Sequence, residues 1–405
     1  MAHGRAHDML RAISVIVMAA FLVGVLTCAS CGRRRPRPVV YPPVPAVAAS
    51  ETTLRVLLFE TRTPVLISLS EGATLTPLDG EAQAEVLPEL LDAGVSPITS
   101  GILIGERLWP HGRLRLTPTE GSMLTVDGSA YRGSLVLAQR EDGSLTGINE
   151  VGTEQYLASV VSAELPSRWP LETLKAQAIA ARTYALHKAR QRAGGLFTLY
   201  ADTRDQMYRG VASESARSLE AVTATSGVIA TFGGRLFPTF YHSTCGGATE
   251  PAERVFGISP VRPLSGVNCG FCGDSKYYRW QAELSAAQVR DAVAQAGYNV
   301  GDAERIEMLP LERASQYRRV KVIRLDGSEA SMPADVFRNA LGPSVIRSVL
   351  FQAHRSGENL LFEGRGYGHL VGMCQWGARG MGAEGYGADE ILAHYYPDVE
   401  LVKAY

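Results

Sequence analysis

Glu164-Leu-Pro-Ser-Arg-Trp-Pro-Leu-Glu-Thr-Leu-Lys-Ala-Gln-Ala-Ile-Ala-Ala-Arg-Thr-Tyr184 sets an acid, an aromatic residue and a proline just ahead of a helix. Pro170 suits a first helical turn, where its missing N–H is no loss. Leu171, Leu174, Ala178, Ala181 and Ala185 recur at helical spacing and predict a buried stripe over 170–191. Five alanines between 176 and 185 let neighbouring backbone come close. Lys175 and Arg182 share one face, as do Gln177 and Tyr184. On this reading Glu164 lies before the helix, near the positive end of its dipole. Trp169 beside it would desolvate the carboxyl and raise its pKa, which suits a general acid. The plainer alternative is a capping or ion-paired Glu near Arg168. Glu172, in the first turn, reads as a dipole partner.

Working outward, short strand-like runs cover 54–58, 64–69, 113–116 and 134–138, with strands again over 226–243 turning at Gly233-Gly234. A helix is expected over 286–295. Strand, turn and strand follow from 319, with Asp326-Gly327 as the hairpin signal, then short helices at 335–341 and 390–395. Strand-rich blocks with a few inserted helices predict an α+β fold. Residues 251–360 read as a second lobe or an insertion beside a ligand groove.

Several further motifs stand in order along the chain. They are Tyr131-Arg-Gly133, Ile148-Asn-Glu-Val151, Glu154-Gln-Tyr-Leu157, the 202–210 segment with Gln206 and Tyr208, and Tyr241-His-Ser-Thr-Cys-Gly-Gly247 with Thr249-Glu250. Near the C-terminus come the glycine-dense 364–378 run with His369, Gln375 and Trp376, and Ile391-Leu-Ala-His-Tyr-Tyr-Pro397. With the 164–184 stretch they resemble the stage II sporulation protein D / amidase-enhancer (SpoIID/LytB) family, from about residue 53 to the end. The resemblance implies action on peptidoglycan glycan strands: a lytic transglycosylase that cleaves between N-acetylmuramic acid and N-acetylglucosamine, preferring peptide-stripped strands and leaving anhydro-muramic ends. The family's catalytic glutamate falls on Glu164. Most glycosidases need two carboxylates; attack by the sugar's own 6-hydroxyl needs one. A conventional hydrolase would take Asp202, Asp205 or Glu363 as the second. A non-catalytic, glycan-binding enhancer of a separate wall amidase is the alternative from another class. Lys175, Gln177, Arg182, Tyr184, Gln206, Tyr208, His369, Gln375 and Trp376 are the candidate substrate-binding residues. Leu370 stands where many family members have glycine, and Cys374 where many have serine.

Of six cysteines, Cys269-Gly-Phe-Cys272 forms a C-x2-C pair and His242-Ser-Thr-Cys245 an H-x2-C pair. That spacing fits a closed, structural zinc site. Cys374 competes with His242 as the fourth ligand. Disulfides are the alternative in an oxidising compartment.

Cys28 and Cys31 belong to the leader. Arg5 and Arg11 precede an apolar run over 12–27, and Ala29-Ser-Cys31-Gly32 resembles a lipoprotein cleavage site. Residues 1–31 therefore read as a signal peptide or membrane anchor, lipidated, uncleaved or cleaved. Arg33, Arg34, Arg35 and Arg37 pull the other way, since positive flanks favour the cytoplasmic side. Five prolines between 36 and 45 predict an extended spacer over 32–50. The expectation is an exported bacterial envelope protein whose body, residues 51–405, works outside the cytoplasmic membrane. A net charge of −1 argues against nucleic acid.

Overall fold

The computed structural model describes residues 51–81, 83–309 and 318–405. The leader and spacer read from residues 1–50, with Cys28 and Cys31, lie outside them. Strand outweighs helix, 36% to 25%, in the α+β balance expected.

The strand Thr53–Thr61 pairs antiparallel with Leu145–Gly152, which continues through Ser134–Gln139, Arg113–Pro118 and Ala73–Pro77 in a seven-stranded sheet. A six-stranded sheet is centred on Val65–Leu69 and Leu90–Ile98. Alternation decides which faces meet. Leu114, Leu116, Leu135 and Leu137 from the first sheet and Ile67, Leu69, Val95 and Ile102 from the second fill one core.

Leu145–Gly152 runs directly into a helix, Thr153–Glu164. Gly152 offers no side-chain cap. Instead the Glu51 carboxylate accepts the orphan N–H of Glu154 at 2.6 Å, as a first turn requires. Tyr156, Leu157, Val160 and Val161 form the buried face of this helix. Pro166 follows its end.

The long helix Leu171–Gln191 begins where the sequence placed it, with Pro170 as its N-cap. It is not one-sided. Leu174, Ala178, Ala181 and Ala185 face a core shared with Thr153–Glu164, while Ala176, Ile179 and Ala180 face a second core built from C-terminal segments. Every residue from Ala176 to Leu186 is buried. A helix enclosed on all sides needs small residues so that neighbours can approach, which accounts for the alanines.

Residues 279–365 contain a six-stranded antiparallel sheet, Arg279–Ser285 to Glu329–Pro333. Its apolar face is covered by the helices Ala286–Gln295 and Ala334–Leu341 around Val289, Val293, Phe337, Phe351 and Phe362. The chain then returns: Met373–Cys374 pairs parallel with Tyr241–His242, the helices Gln375–Ala383 and Ala388–Tyr395 close the second core, and Glu400–Lys403 pairs with Val228–Phe232.

The glycine-dense 364–378 run becomes helical from Gln375. Its glycines face close neighbours: a Cβ on Gly377 would strike the Tyr395 hydroxyl and the Cys269 sulfur, and one on Gly380 would strike the Phe271 carbonyl. The conformation ahead of it tolerates Leu370, which keeps φ +67° while its side chain is wholly buried.

Candidate active site and cysteine centre

Glu164 ends its own helix, Thr153–Glu164, so the dipole acting on it is the negative end of that helix, opposite to the sequence reading. That end disfavours a carboxylate. Glu164 keeps some exposure, but enclosure of its carboxyl pushes the pKa above the ordinary carboxylate range. Hydrogen bonds oppose this without reversing it. The Met207 N–H donates to Oε1 at 3.1 Å and Gln375 Nε2 to Oε2 at 3.3 Å, with further help from the Arg209 charge and the Tyr241 hydroxyl.

Behind the acid stands a buried relay. Tyr156 donates to Gln206 Oε1 at 3.1 Å, and Gln206 Nε2 donates to the Tyr241 hydroxyl at 3.0 Å and to the Ala181 carbonyl at 3.2 Å. Burial, then the neighbouring Glu164 charge, raises the Tyr241 pKa well above its usual value. Tyr241 therefore keeps its proton and donates it to the acid. The sequence quoted Tyr241 within a motif but did not select it, because a strand residue's direction depends on its pairing with Met373–Cys374.

The candidate binding residues divide by position. Gln375 touches Glu164. Trp376 meets Trp169 edge to face at 5.3 Å, keeps partial exposure, and has the Arg379 guanidinium 5.0 Å from its ring. Gln206 supports the relay. The others make no hydrogen bond to Glu164 among the described residues. Arg182 is wholly buried and forks onto Glu154 at 2.8 and 2.6 Å, with a third bond to the Val228 carbonyl. It braces the core and lines no groove, because a cation at that point of an enclosed helix must be paired. Tyr184 donates to Asp205, itself held by Arg192. Tyr208 donates to Asn149 at 2.8 Å. Lys175 pairs with Glu172 at 2.8 Å. Gln177 is fully buried, and neither end of its amide has a partner among the described residues. His369 packs against Phe240, Phe256 and His242, and burial holds its pKa down to about 3, so it is neutral.

None of the three rival carboxylates partners Glu164 among the described residues. Asp202 bonds Arg204, Asp205 is engaged as above, and Glu363 accepts from Gln281.

Cys245, Cys269, Cys272 and Cys374 converge, all buried and unbridged, with their sulfurs within 4.8 Å of one another. Cys245 and Cys272 are 3.5 Å apart. Tetrahedral zinc with Zn–S near 2.3 Å would space sulfurs about 3.8 Å apart, so the set fits. Backbone N–H groups of Cys245 and Gly377 point at Cys374 Sγ at 3.2 and 3.3 Å, as a thiolate ligand needs. Burial, then the three neighbouring cysteines, pushes the Cys374 thiol well up, and a buried cation would reverse that. His242 lies outside the four: its Nδ1 faces the Val371 carbonyl at 3.1 Å. Cys374 is the group's fourth member, tying the segment that carries Gln375 to the cysteine pair.

Residues 141–232, which include Glu164, match the family model described as "Stage II sporulation protein"; residues 268–372 match a "Domain of unknown function". The chain is 32% identical to an uncharacterized protein of Brachyspira hyodysenteriae, over 69% of this chain and 74% of that protein. It is 26% identical to stage II sporulation protein D of Bacillus subtilis, over 64% and 76%. To the amidase enhancer of the same organism it is also 26% identical, over 75% of this chain and 49% of that one.

Proposed function

The chain belongs to the stage II sporulation protein D / amidase-enhancer family and has a cell-wall-related role, and from that premise we propose that it is a peptidoglycan lytic transglycosylase with Glu164 as its acid and base. The observation that carries this is the Glu164 carboxyl: enclosed, raised in pKa, held by Gln375 and the Met207 N–H, while Asp202, Asp205 and Glu363 are each bonded to other groups. A lone acid suits a reaction whose nucleophile belongs to the substrate.

Neutral Glu164 donates its proton to the oxygen bridging muramic acid and glucosamine as the bond to the anomeric carbon breaks. The 6-hydroxyl of the same muramic residue attacks that carbon, and the Glu164 carboxylate takes the hydroxyl proton. One proton passes from the 6-hydroxyl to the leaving oxygen, no water is consumed, and the acid is restored. Gln375 and Tyr241 hold the carboxyl while its charge changes, and Trp376 offers a face to a sugar ring.

The four cysteines would hold a structural zinc. When bound it would neutralise the buried thiolates and take no part in proton transfer. Export and membrane attachment through residues 1–31 complete the proposal and bring the body to the wall.

The test is cleavage of purified peptide-free glycan strands by the wild type and Glu164→Gln, with products read by mass. Anhydro-ended fragments from the wild type alone support the reading. Water-added products point to a hydrolase. Binding without cleavage by both proteins favours the enhancer, to which the relative named amidase enhancer lends weight.

A further inference from the structure

The lobe between residues 279 and 365 turns its apolar face to its helices, and on the other face Arg279, Gln281, Gln352 and Glu363 are exposed. Arg279 and Arg365 are direct cross-strand partners there, and both are exposed. Like charges opposed on neighbouring strands repel, and neither has a carboxylate partner among the described residues. Two more cations adjoin them. Gly366 N–H donates to the carbonyls of Tyr277 and Tyr278, and Gly368 N–H to the Arg347 carbonyl. The Tyr277 ring has the Lys276 ammonium at 4.8 Å and the Arg347 guanidinium at 5.1 Å, and meets Tyr367 edge to face at 4.8 Å. Neither Lys276 nor Arg347 has a carboxylate partner among the described residues. The rings hold the cations in place, which lowers the cost of ordering them on a ligand.

Arg279 and Arg365 also line a groove of about 900 Å³ with Trp280, Phe351, Gln281 and Gln352. Two carboxylates share it, Glu363, which accepts a hydrogen bond from the Gln281 amide, and Glu307, which pairs with Arg305, while Arg318 pairs with Glu250. Trp280 and Phe351 turn their side chains into the core and meet the groove at its floor, so its open surface is offered by the amides and the arginines, which suit a sugar chain that carries carboxylates.

We propose that this patch and groove bind a glycan strand through the free lactyl carboxylates of its muramic residues. The inference rests on the reading of the chain as acting on peptidoglycan glycan. A muramic carboxylate is free only where no stem peptide is attached, so the patch would recognise peptide-stripped strands by charge. Backbone pairing connects it to the acid. Tyr367 exchanges hydrogen bonds with Thr244, and the same two segments continue into Tyr241–His242 and Met373–Cys374, next to Gln375.

The test measures binding of length-fractionated peptide-free glycan strands to the full chain carrying Glu164→Gln, beside the same strands with their carboxylates methyl-esterified. The expected result is at least tenfold weaker binding of the esterified strands. The double variant Arg279→Gln/Arg365→Gln, added to Glu164→Gln, should lose at least tenfold on native strands with an unchanged melting temperature, and should no longer distinguish the two strand types. Equal affinity of the Glu164→Gln protein for native and esterified strands overturns the proposal, as does a folded double variant that binds native strands undiminished. The ligand comparison needs no further variant to fold. If the wild type fails to cleave but carboxylate-dependent binding holds, only the transglycosylase reading falls. If the wild type cleaves native and esterified strands equally well, only this one does.

Discussion

At the scale of single residues, the proposed mechanism turns on the proton of Glu164. Replacing it with Gln should cut the cleavage rate at least about a hundredfold, in the range expected for general acid catalysis, measured on peptide-free strands. The same change should not lower the melting temperature. A carboxyl whose folded pKa is raised supports the fold fully below its unfolded pKa, and that support is lost as pH rises through the folded value. Above that raised value the enclosed charge is a burden that Gln removes. Cleavage needs the neutral acid, so the rate should fall as pH climbs through the raised pKa of Glu164. Gln375 donates to the carboxylate and opposes that rise. Gln375→Ala should therefore move the fall to higher pH, read from the alkaline limb of a pH–rate profile. Glu164 was legible in the sequence as an acid beside aromatic residues. Its place at a helix C-terminus was not taken from Tyr156, Leu157, Val160 and Val161, whose spacing carries that signal. The direction of Tyr241 had no local signal at all.

At the scale of elements, the long helix and the glycine helix carry the argument. Arg182 sits on the enclosed part of Leu171–Gln191 and forks onto Glu154. Burial works against the Glu154 carboxylate, but the Arg182 bonds and charge outweigh it and hold its pKa low. Arg182→Met would leave that acid and two backbone carbonyls short of a partner. The expected loss is about 3–5 kcal/mol, seen as a lower denaturant midpoint. The sequence paired Arg182 with Lys175 on a binding face from spacing alone. Spacing shows which residues share a side of a helix, but not whether that side meets solvent. Gln375–Ala383 makes the complementary point. In an exposed helix Gly→Ala stabilises by about 1 kcal/mol. Gly377→Ala should do the reverse, by about 1–3 kcal/mol, because the added methyl meets Tyr395 and Cys269. Thermal melting of this single variant checks the sign.

At the scale of the whole molecule, the cysteine group joins segments far apart in the chain. Purified protein should hold about one zinc per chain by elemental analysis. A strong chelator should lower its melting temperature, since binding to the folded state alone adds stability. Cleavage should fall with it, because Cys374 immediately precedes the residue that holds Glu164. The sequence by itself determined the α+β class, the long helix, several strands of the body and the cysteine pairs, since each is written in local periodicity or short spacing. It also supplied the ordered motifs that mark the family. Tertiary structure alone decided that Cys374 and not His242 completes the sulfur group, that Arg182, Tyr184 and Tyr208 are spent inside the fold, and that Tyr241 and Gln375 meet at Glu164. Those outcomes depend on contacts between separate elements, from Tyr184 with Asp205, 21 residues apart, to Glu164 with Gln375, 211 apart, and on the pairing of Tyr241–His242 with Met373–Cys374. Local sequence fixes which elements form, but the direction of a side chain across such a pairing is set by the register of its partner.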